Sequence, residues 1–421
     1  MADNSQSPRL ARQALDALRP QRAGVVYALI LIVLIFEVMT IARGLPSFLQ
    51  VSDIRNVLQQ GALDGVLVVS MTVLLITGNF DLSVGATAGL AAAAGLKVAN
   101  ADGEFLGVLA AVGVGLAVGI ANGTLVQVVG VNAFIVTLGT YTALQGVLLV
   151  LTSGNTILAK SGQYGAIGSG VWSVPAVVVI VIGAAMLAYA LARARGWGAG
   201  PAGARLDSSA IGAGIIGLIL VVVGIVVPGI ATENAQTWIM LGYMTAAALV
   251  LRFTVVGRRI YAVGGNAEAA RLSGIAVSRY KIGAFILTSL SASLAGLIYA
   301  GQFGAVEPTA LVNEELPVLA AAILGGTSLF GGSGYVVKSV VGTLILSSLI
   351  VGFNILNLGS NWQYVVQGLV IIAAAAVYTV ASRKRRAASI VPDSSTSEPG
   401  PSDPAGTPAA APDQQTLAAK H

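Results

Sequence analysis

Long apolar runs, separated by short polar or glycine-rich breaks, make up most of this chain. Each run approaches the roughly 20 residues that a helix needs to cross a bilayer, so the pattern predicts about twelve membrane-spanning helices. We therefore expect an all-α fold, a polytopic transmembrane helical bundle. The apolar windows are 24–42, 57–77, 83–99, 106–130, 133–152, 171–192, 210–229, 238–256, 282–301, 316–330, 335–353 and 364–381.

Composition supports a membrane protein and excludes several kinds of site. Of 421 residues, 56% are hydrophobic and 10% are charged, and the mean hydropathy is +0.84. A soluble domain carries about a quarter charged residues, so this chain has too little polar surface to cover a water-soluble globule. The sequence contains no cysteine, and its single histidine is the last residue, His421. Thiolate and histidine metal sites, cysteine nucleophiles and a histidine general base within the membrane are therefore excluded.

The two ends of the chain differ from its apolar middle. Residues 1–23 are polar and basic, and we expect a cytoplasmic segment there. The membrane domain is expected to cover residues 24–386. Residues 387–421 are rich in proline, serine, alanine and threonine, which predicts a disordered cytoplasmic tail. The first apolar run contains Glu37 and has no small-residue cleavage site after it, so we interpret it as a retained span and not as a signal peptide.

The positions of lysine and arginine predict the orientation of the spans. Cytoplasmic loops carry an excess of these residues, and spans that start inside place the basic N-terminus and three basic clusters on that side. The predicted topology has both termini in the cytoplasm. The opposite loops are neutral or acidic, with Lys97 and Lys160 as exceptions at the outer interface. The basic clusters are Arg193, Arg195 and Arg205, then Arg258, Arg259, Arg271, Arg279 and Lys281, then 383–386. The outer acidic residues are Asp102, Glu104, Glu233, Glu307, Glu314 and Glu315.

Many of the predicted helices carry glycines four residues apart. Such pairs let two helices approach closely in lipid, so they predict packing and not a functional site. The pairs are Gly61/Gly65, Gly85/Gly89, Gly115/Gly119 and Gly119/Gly123.

Three segments depart from the plain apolar helix. The first two can be ordinary turns or parts of a transport pathway, because irregular backbone at membrane depth is tolerated only against protein or water. Residues 77–85 hold Gly78 and Asn79, which end a helix, and Asp81 or Ser83 can cap the next one. Residues 324–334 carry too many glycines for a stable helix and lack the lysine that a phosphate loop requires.

The third segment, residues 257–274, lies in a basic loop that we expect to be cytoplasmic and to extend over residues 257–281. Asn266 can cap a short helix that carries residues 268–271, and Gly274 can end it. A short charged helix outside the membrane is suited to dock into a groove on a soluble partner. The alternative is a basic loop that only fixes the topology.

The run from Glu268-Ala-Ala to Gly274 resembles the coupling loop, known as the EAA loop, of ABC-importer permeases. Together with three further blocks, residues 77–85, 132–139 and 324–334, it is similar to the ribose/xylose-type sugar permeases. Four ordered blocks make this resemblance more specific than an EAA loop alone.

The resemblance extends over about residues 45–380 and has two particular features. An added helix pair around residues 193–235 is similar in layout to the xylose-type branch. Phe80 departs from the family pattern, which more often has isoleucine or valine before the aspartate.

The resemblance implies a type II ABC-importer permease fold in the bacterial cytoplasmic membrane. It also implies a permease homodimer, a cytoplasmic ABC ATPase subunit and an external sugar-binding protein. The chain has no Walker motif, so ATP and Mg²⁺ belong on the ATPase partner, and we expect no enzymatic activity here. The implied cargo is a neutral monosaccharide, xylose or a related aldose. The residues implied in coupling to the ATPase are Asn266, Glu268, Ala269, Ala270, Arg271 and Gly274.

A neutral sugar is recognised by hydroxyl and amide groups that donate and accept hydrogen bonds. Aromatic side chains, among them that of Tyr141, can pack on the sugar ring. We expect Asp81 to cap or tether its segment and not to bind the sugar. The candidate residues of the substrate pathway are Asn79, Phe80, Asp81, Ser83, Asn132, Phe134, Thr137, Gln145, Gly325, Gly326, Thr327 and Ser328.

Two other functions are open at this point. An ion-coupled secondary transporter of a small neutral solute would need a buried carboxylate relay, for which Asp81 with Asp64 is the candidate pair. An intramembrane enzyme would need a catalytic constellation, and the sequence shows neither catalytic residues nor a set of metal ligands.

Overall fold

The computed structural model describes residues 20–173, 176–194 and 232–359, together with Trp362, Val365, Val366, Gly368, Leu369 and Ile372. The predicted span at 210–229, most of that at 364–381 and both chain ends lie outside the described residues. The same holds for Arg195, Arg205 and the basic run at 383–386.

Helices make up most of the described chain, as the apolar pattern predicts. The helices are α1 (Pro20–Ala42), α2 (Val51–Ile76), α3 (Val84–Asp102), α4 (Glu104–Thr124), α5 (Ala133–Thr152), α6 (Gly165–Gly168), α7 (Ala176–Ala194), α8 (Ala235–Phe253), α9 (Val255–Gly265), α10 (Ala267–Leu272), α11 (Val277–Phe303), α12 (Glu315–Leu324) and α13 (Val336–Ile355). A π-helical turn, Leu125–Val129, continues α4. Four short strands, which the apolar pattern did not predict, form two antiparallel pairs, β1 with β4 and β2 with β3. They are β1 (Ile157–Leu158), β2 (Val171–Ser173), β3 (Thr232–Asn234) and β4 (Ala305–Val306).

Six helices in the described ranges are long and apolar enough to cross a membrane, or seven if the bent pair of α8 and α9 forms one span. The axes of α8 and α9 differ by 77°. The predicted span at 316–330 is wrong, because α12 has 10 residues and ends at Leu324. The window at 171–192 begins too early, because its first three residues form β2.

The bundle has two ends with different structures. At the strand end, β1 follows α5 and pairs with β4, which follows α11. Helix α3 also ends at the strand end. The side-chain amide of Asn100, in its last turn, donates a hydrogen bond to the Leu158 carbonyl of β1 at 2.8 Å. Helix α11 begins at the opposite end of the bundle, which we call the loop end, and finishes at the strand end, next to β4. The loop end holds α9, α10 and the C-terminus of α2.

Small residues set the close helix contacts that the glycine spacing predicts. A Cβ atom on Gly119 would lie 2.6 Å from the Cα atom of Ile286, and one on Gly115 would lie 2.7 Å from the Ser289 carbonyl oxygen. Helices α4 and α11 therefore touch backbone to backbone. The predicted close approach is confirmed at these glycines, and the absence of side chains is what permits it.

This contact gives a testable stability prediction. Gly119→Ala should destabilise the protein by roughly 1–3 kcal/mol, because the added methyl group meets backbone atoms that cannot rotate away. Thermal unfolding in detergent, followed by tryptophan fluorescence, measures the effect. Gly113→Ala on the same helix is the matched control, since a Cβ atom there meets nothing within 4 Å. Equal melting temperatures for the two variants would contradict the prediction.

Candidate coupling surface and translocation pathway

Helix α10 has the short, capped form that the sequence predicts. The Asn266 side-chain oxygen accepts a hydrogen bond from the Ala269 N–H at 2.9 Å. Gly274 follows the helix with a φ of 79°, a left-handed conformation that glycine adopts without steric cost. Ala270 is buried against Val263 and Val277. One side of α10 is therefore fixed to α9 and α11.

The other side of α10 faces away from the protein. Glu268 and Arg271 form an ion pair at 3.5 Å, and both side chains are 68% exposed. Leu272 is 82% exposed, although it is a large apolar residue. Together these residues make a small surface with an apolar centre and charged flanks. Such a surface is typical of a protein–protein contact.

The ends of two helices and one loop meet at the loop end, in what we call the three-loop junction (residues 76–78, 264–265 and 331–334). The Gly332 N–H donates to the Ile76 carbonyl at 2.9 Å. The Tyr261 hydroxyl, on α9, donates to the Gly334 carbonyl at 2.8 Å. The structure thus brings together the C-terminal ends of α2 and α9 and the loop that follows α12.

Glycine is required where these backbones touch. A Cβ atom on Gly264 would overlap the Ile76 carbonyl oxygen. Gly331 has a φ of 85°, and a Cβ atom there would lie 2.7 Å from the Gly264 carbonyl oxygen and 2.9 Å from the Gly78 Cα atom. The junction therefore rests on direct backbone contact among the three segments.

The Asp81 segment is tied to neighbouring helices by a chain of hydrogen bonds. Asp81 Oδ1 accepts from the Ser83 N–H at 2.7 Å and from the Ser83 hydroxyl at 2.6 Å. The Asn122 amide on α4 donates to the Ser83 hydroxyl oxygen at 3.0 Å, and its oxygen accepts from the Thr140 hydroxyl on α5 at 2.7 Å. Sequence reasoning missed Asn122 and Thr140, although a lone asparagine within an apolar helix was a usable signal.

The chain between β4 and α12 enters the bundle as irregular backbone. The Ala310 and Leu311 carbonyls pack against the faces of Gly89 and Gly85 on α3. The prediction that this glycine pair lets two helices approach closely is wrong, because the backbone that packs on the pair is irregular. Leu311 and Asn313 have left-handed φ values of 58° and 70°.

Position along α3 gives the depth of this irregular backbone. At about 1.5 Å of rise per residue, Gly89 and Gly85 lie roughly 16 and 22 Å below Asn100, which marks the strand end. The Leu311 carbonyl therefore lies inside the bundle and not at its strand end. Glu315, at the start of α12, is only 7% exposed, so it is packed among helices and not on a surface loop, while the predicted outer side for Glu314 and Glu315 stays a prediction.

The irregular backbone meets a polar face of α5. Thr137, Tyr141 and Gln145 follow one another at intervals of four residues and so share that face. The Tyr141 hydroxyl donates to the Asn313 side-chain oxygen at 3.3 Å and also lies next to the Glu315 carboxylate. Sequence reasoning proposed the α5 residues but missed Asn313 and Glu315, because their spacing looked like that of a surface loop.

The other pathway candidates occupy two places. Phe80 and Phe134 meet edge to face with ring centroids 6.5 Å apart, and the Asn132 side chain caps α5 by accepting from the Phe134 N–H at 2.9 Å. Residues 325–328 lie against α13, where the Thr327 and Ser339 hydroxyl groups form a hydrogen bond with their oxygens 3.1 Å apart. Asn79 is buried beside Thr77.

Two acidic side chains make contacts at the strand end. Glu233 is 4% exposed and pairs with Arg55 at 3.0 Å; burial raises the pKa of its carboxyl group, and Arg55 opposes that rise. The Tyr164 N–H donates to the Glu104 carboxylate at 3.0 Å. Burial, followed by the charge of Glu104, raises the pKa of Tyr164 to about 12. These contacts hold the short strands against the helices.

Comparison with known proteins shows the family. A family model described as a branched-chain amino acid transport system / permease component matches residues 54–375. The xylose transport system permease protein of Haemophilus influenzae is 34% identical over 371 residues, which cover 85% of this chain and 96% of that protein. This chain belongs to the ribose/xylose-type ABC-transporter permeases. The ribose import permease protein of Escherichia coli K12 is 33% identical over 349 residues, covering 82% of this chain and 91% of that protein. No solved structure matches.

Membership of this family confirms the resemblance that the sequence motifs indicated. The chain is a permease of the bacterial cytoplasmic membrane, and its relatives are transport permease subunits. The family model and the similar permeases differ in the cargo that they name, amino acids in one and sugars in the other.

Proposed function

We propose that this permease forms the translocation pathway of an ATP-driven importer for a neutral monosaccharide, xylose or a related aldose. The three-loop junction carries this proposal. Helix α9 leads into α10, and its backbone touches both the segment after α2 and the segment after α12. A partner that pulls or pushes α10 therefore moves two segments at once, as alternating access requires.

The proposed orientation places the loop end in the cytoplasm. Arg258, Arg259 and Arg279 lie near this end, in and around α9 and at the start of α11, and cytoplasmic loops are enriched in such residues. A cytoplasmic ATPase subunit, which holds ATP and Mg²⁺, would then bind the exposed side of α10. A sugar-binding protein would deliver cargo at the strand end, and two permease chains would form the central pathway.

Chemistry and similarity both favour a sugar. Hydroxyl, phenol and amide side chains line the polar face of α5 and its neighbour Asn313, and such groups match sugar hydroxyls. The permeases of H. influenzae and E. coli reported above are named for xylose and ribose. The description of the family model names amino acid transport, so an amino acid is the alternative cargo that the experiment must compare with a sugar.

Reconstitution in proteoliposomes tests the proposal. The permease, its ATPase and its binding protein are assembled, and uptake of radiolabelled xylose, ribose and leucine is measured with and without ATP. We expect ATP-dependent uptake of a pentose and none of leucine. Uptake by the permease alone, driven by a proton or sodium gradient, would establish the ion-coupled alternative, and uptake of leucine would refute the sugar assignment.

A further inference from the structure

The backbone from residue 307 to 314 runs into the bundle along α3, to roughly 16–22 Å below the strand end, without forming a helix. In lipid, unsatisfied backbone groups are expensive, so such backbone occurs only where protein buries it or where it lines a water-filled space. On one side, Ala310 and Leu311 are buried against α3. On the other side, the Asn313 side chain is exposed. An exposed amide at this depth indicates an aqueous pathway and not lipid.

Polar groups cluster around the Tyr141 hydroxyl. The side chains of Gln145 and Glu315 lie next to it, but within the described residues Glu315 Oε2 and the Gln145 amide nitrogen are buried without a close hydrogen bond. A buried polar group without a close partner costs about 1–3 kcal/mol, and a ligand hydroxyl placed here would supply the missing bonds. The Tyr141 hydroxyl lies between these groups and already donates to Asn313.

We propose that Tyr141, Asn313 and Glu315 form a hydrogen-bonding site for the hydroxyl groups of the transported sugar, a conclusion that rests on the proposed function. Each sugar hydroxyl can donate one hydrogen bond and accept others. The Glu315 carboxylate and the Asn313 oxygen accept, the Tyr141 hydroxyl oxygen accepts while its hydrogen is donated to Asn313, and the Gln145 amide can donate. Two adjacent carboxylates, those of Glu314 and Glu315, would repel the carboxylate of an amino acid.

Water access to Asn313 is the first test. The chain has no natural cysteine, so Asn313→Cys introduces the single thiol of the permease. We expect a membrane-impermeant maleimide to label it in opened membrane vesicles, and xylose-loaded binding protein with ATPase present to slow the labelling. Ile120→Cys on α4, an exposed apolar position, is the control and should stay unlabelled. No labelling of Asn313→Cys, or a disulfide between two copies at that position, would overturn the proposal.

Transport specificity is the second test. Tyr141→Phe should slow ATP-driven uptake of xylose roughly tenfold through loss of a hydrogen bond, and Glu315→Gln should slow it as well. Xylose analogues that each lack one hydroxyl test whether Tyr141 contacts the sugar. For the analogue that lacks the hydroxyl contacted by Tyr141, the Tyr141→Phe variant and the wild-type protein should transport at the same rate. Thr142→Val is the matched control on α5, because its hydroxyl bonds only to its own helix, at the Leu138 carbonyl, 3.1 Å away.

The outcomes separate the site from the overall function. If the wild-type complex transports xylose and Tyr141→Phe slows every analogue equally, or not at all, the site is wrong and the importer function stands. If Tyr141→Phe also loses basal ATPase activity, its role is structural and the site is again wrong. If the wild-type complex transports no sugar, the proposed function fails.

Discussion

Gly264→Ala is expected to slow ATP-driven transport strongly while the permease still inserts into the membrane. The added Cβ atom would overlap the Ile76 carbonyl oxygen, which also accepts the hydrogen bond from Gly332. Backbone cannot rotate away as a long side chain can, so α9 must separate from the end of α2. We expect the uptake rate of reconstituted proteoliposomes to fall by roughly tenfold or more.

The neighbouring glycine provides the control for this experiment. A Cβ atom on Gly265 meets nothing within 4 Å, so Gly265→Ala should transport normally. Tyr261→Phe is a milder variant, because it removes only the hydroxyl that donates to the Gly334 carbonyl. It should lower the sugar moved per ATP hydrolysed by severalfold while the complex stays assembled. The control is Tyr280→Phe, because the Tyr280 hydroxyl accepts a hydrogen bond from Arg259 at 3.0 Å and not from the junction. This variant should leave the sugar moved per ATP hydrolysed unchanged. Wild-type transport by Gly264→Ala would show that the junction does not transmit movement.

An aspartate at position 272 is expected to prevent assembly with the ATPase. Leu272 is 82% exposed on α10, beside the exposed pair of Glu268 and Arg271. Burying a leucine stabilises a contact by about 1.5–3 kcal/mol, and burying a charge in its place is unfavourable. We therefore expect co-purification of the ATPase with the permease to fall by roughly tenfold or more.

A conservative change at the same position controls for the loss of shape. Leu272→Met keeps an apolar side chain of similar volume and should retain the ATPase. Thermal unfolding of the isolated permease should be the same for Leu272→Asp and the wild-type protein, since the side chain packs on little of its own chain. Full co-purification of the ATPase with Leu272→Asp would refute the assignment of α10 as the docking helix.

Local signals in the sequence predicted most helices and their ends. Apolar runs gave α1, α2, α4, α5, α11 and α13, because the cost of burying polar groups in lipid acts on each segment by itself. Asn266 and Gly274 fixed both ends of α10, since a cap depends on the residues next to it. The same local reasoning failed at residues 316–330, where an apolar run lies half in a helix and half in a glycine-rich loop.

The sequence by itself determined that this protein is a helical membrane permease, and its motifs indicated the family. Only the tertiary structure decided where the polar segments lie. Glu315 reads as part of an acidic surface loop, but packing of Leu311 against Gly85 carries it into the bundle. Likewise, Gly264 and Gly332 are far apart in sequence and meet at Ile76. Contacts between distant segments depend on how the whole bundle packs, so no single stretch of residues contains the information that places them.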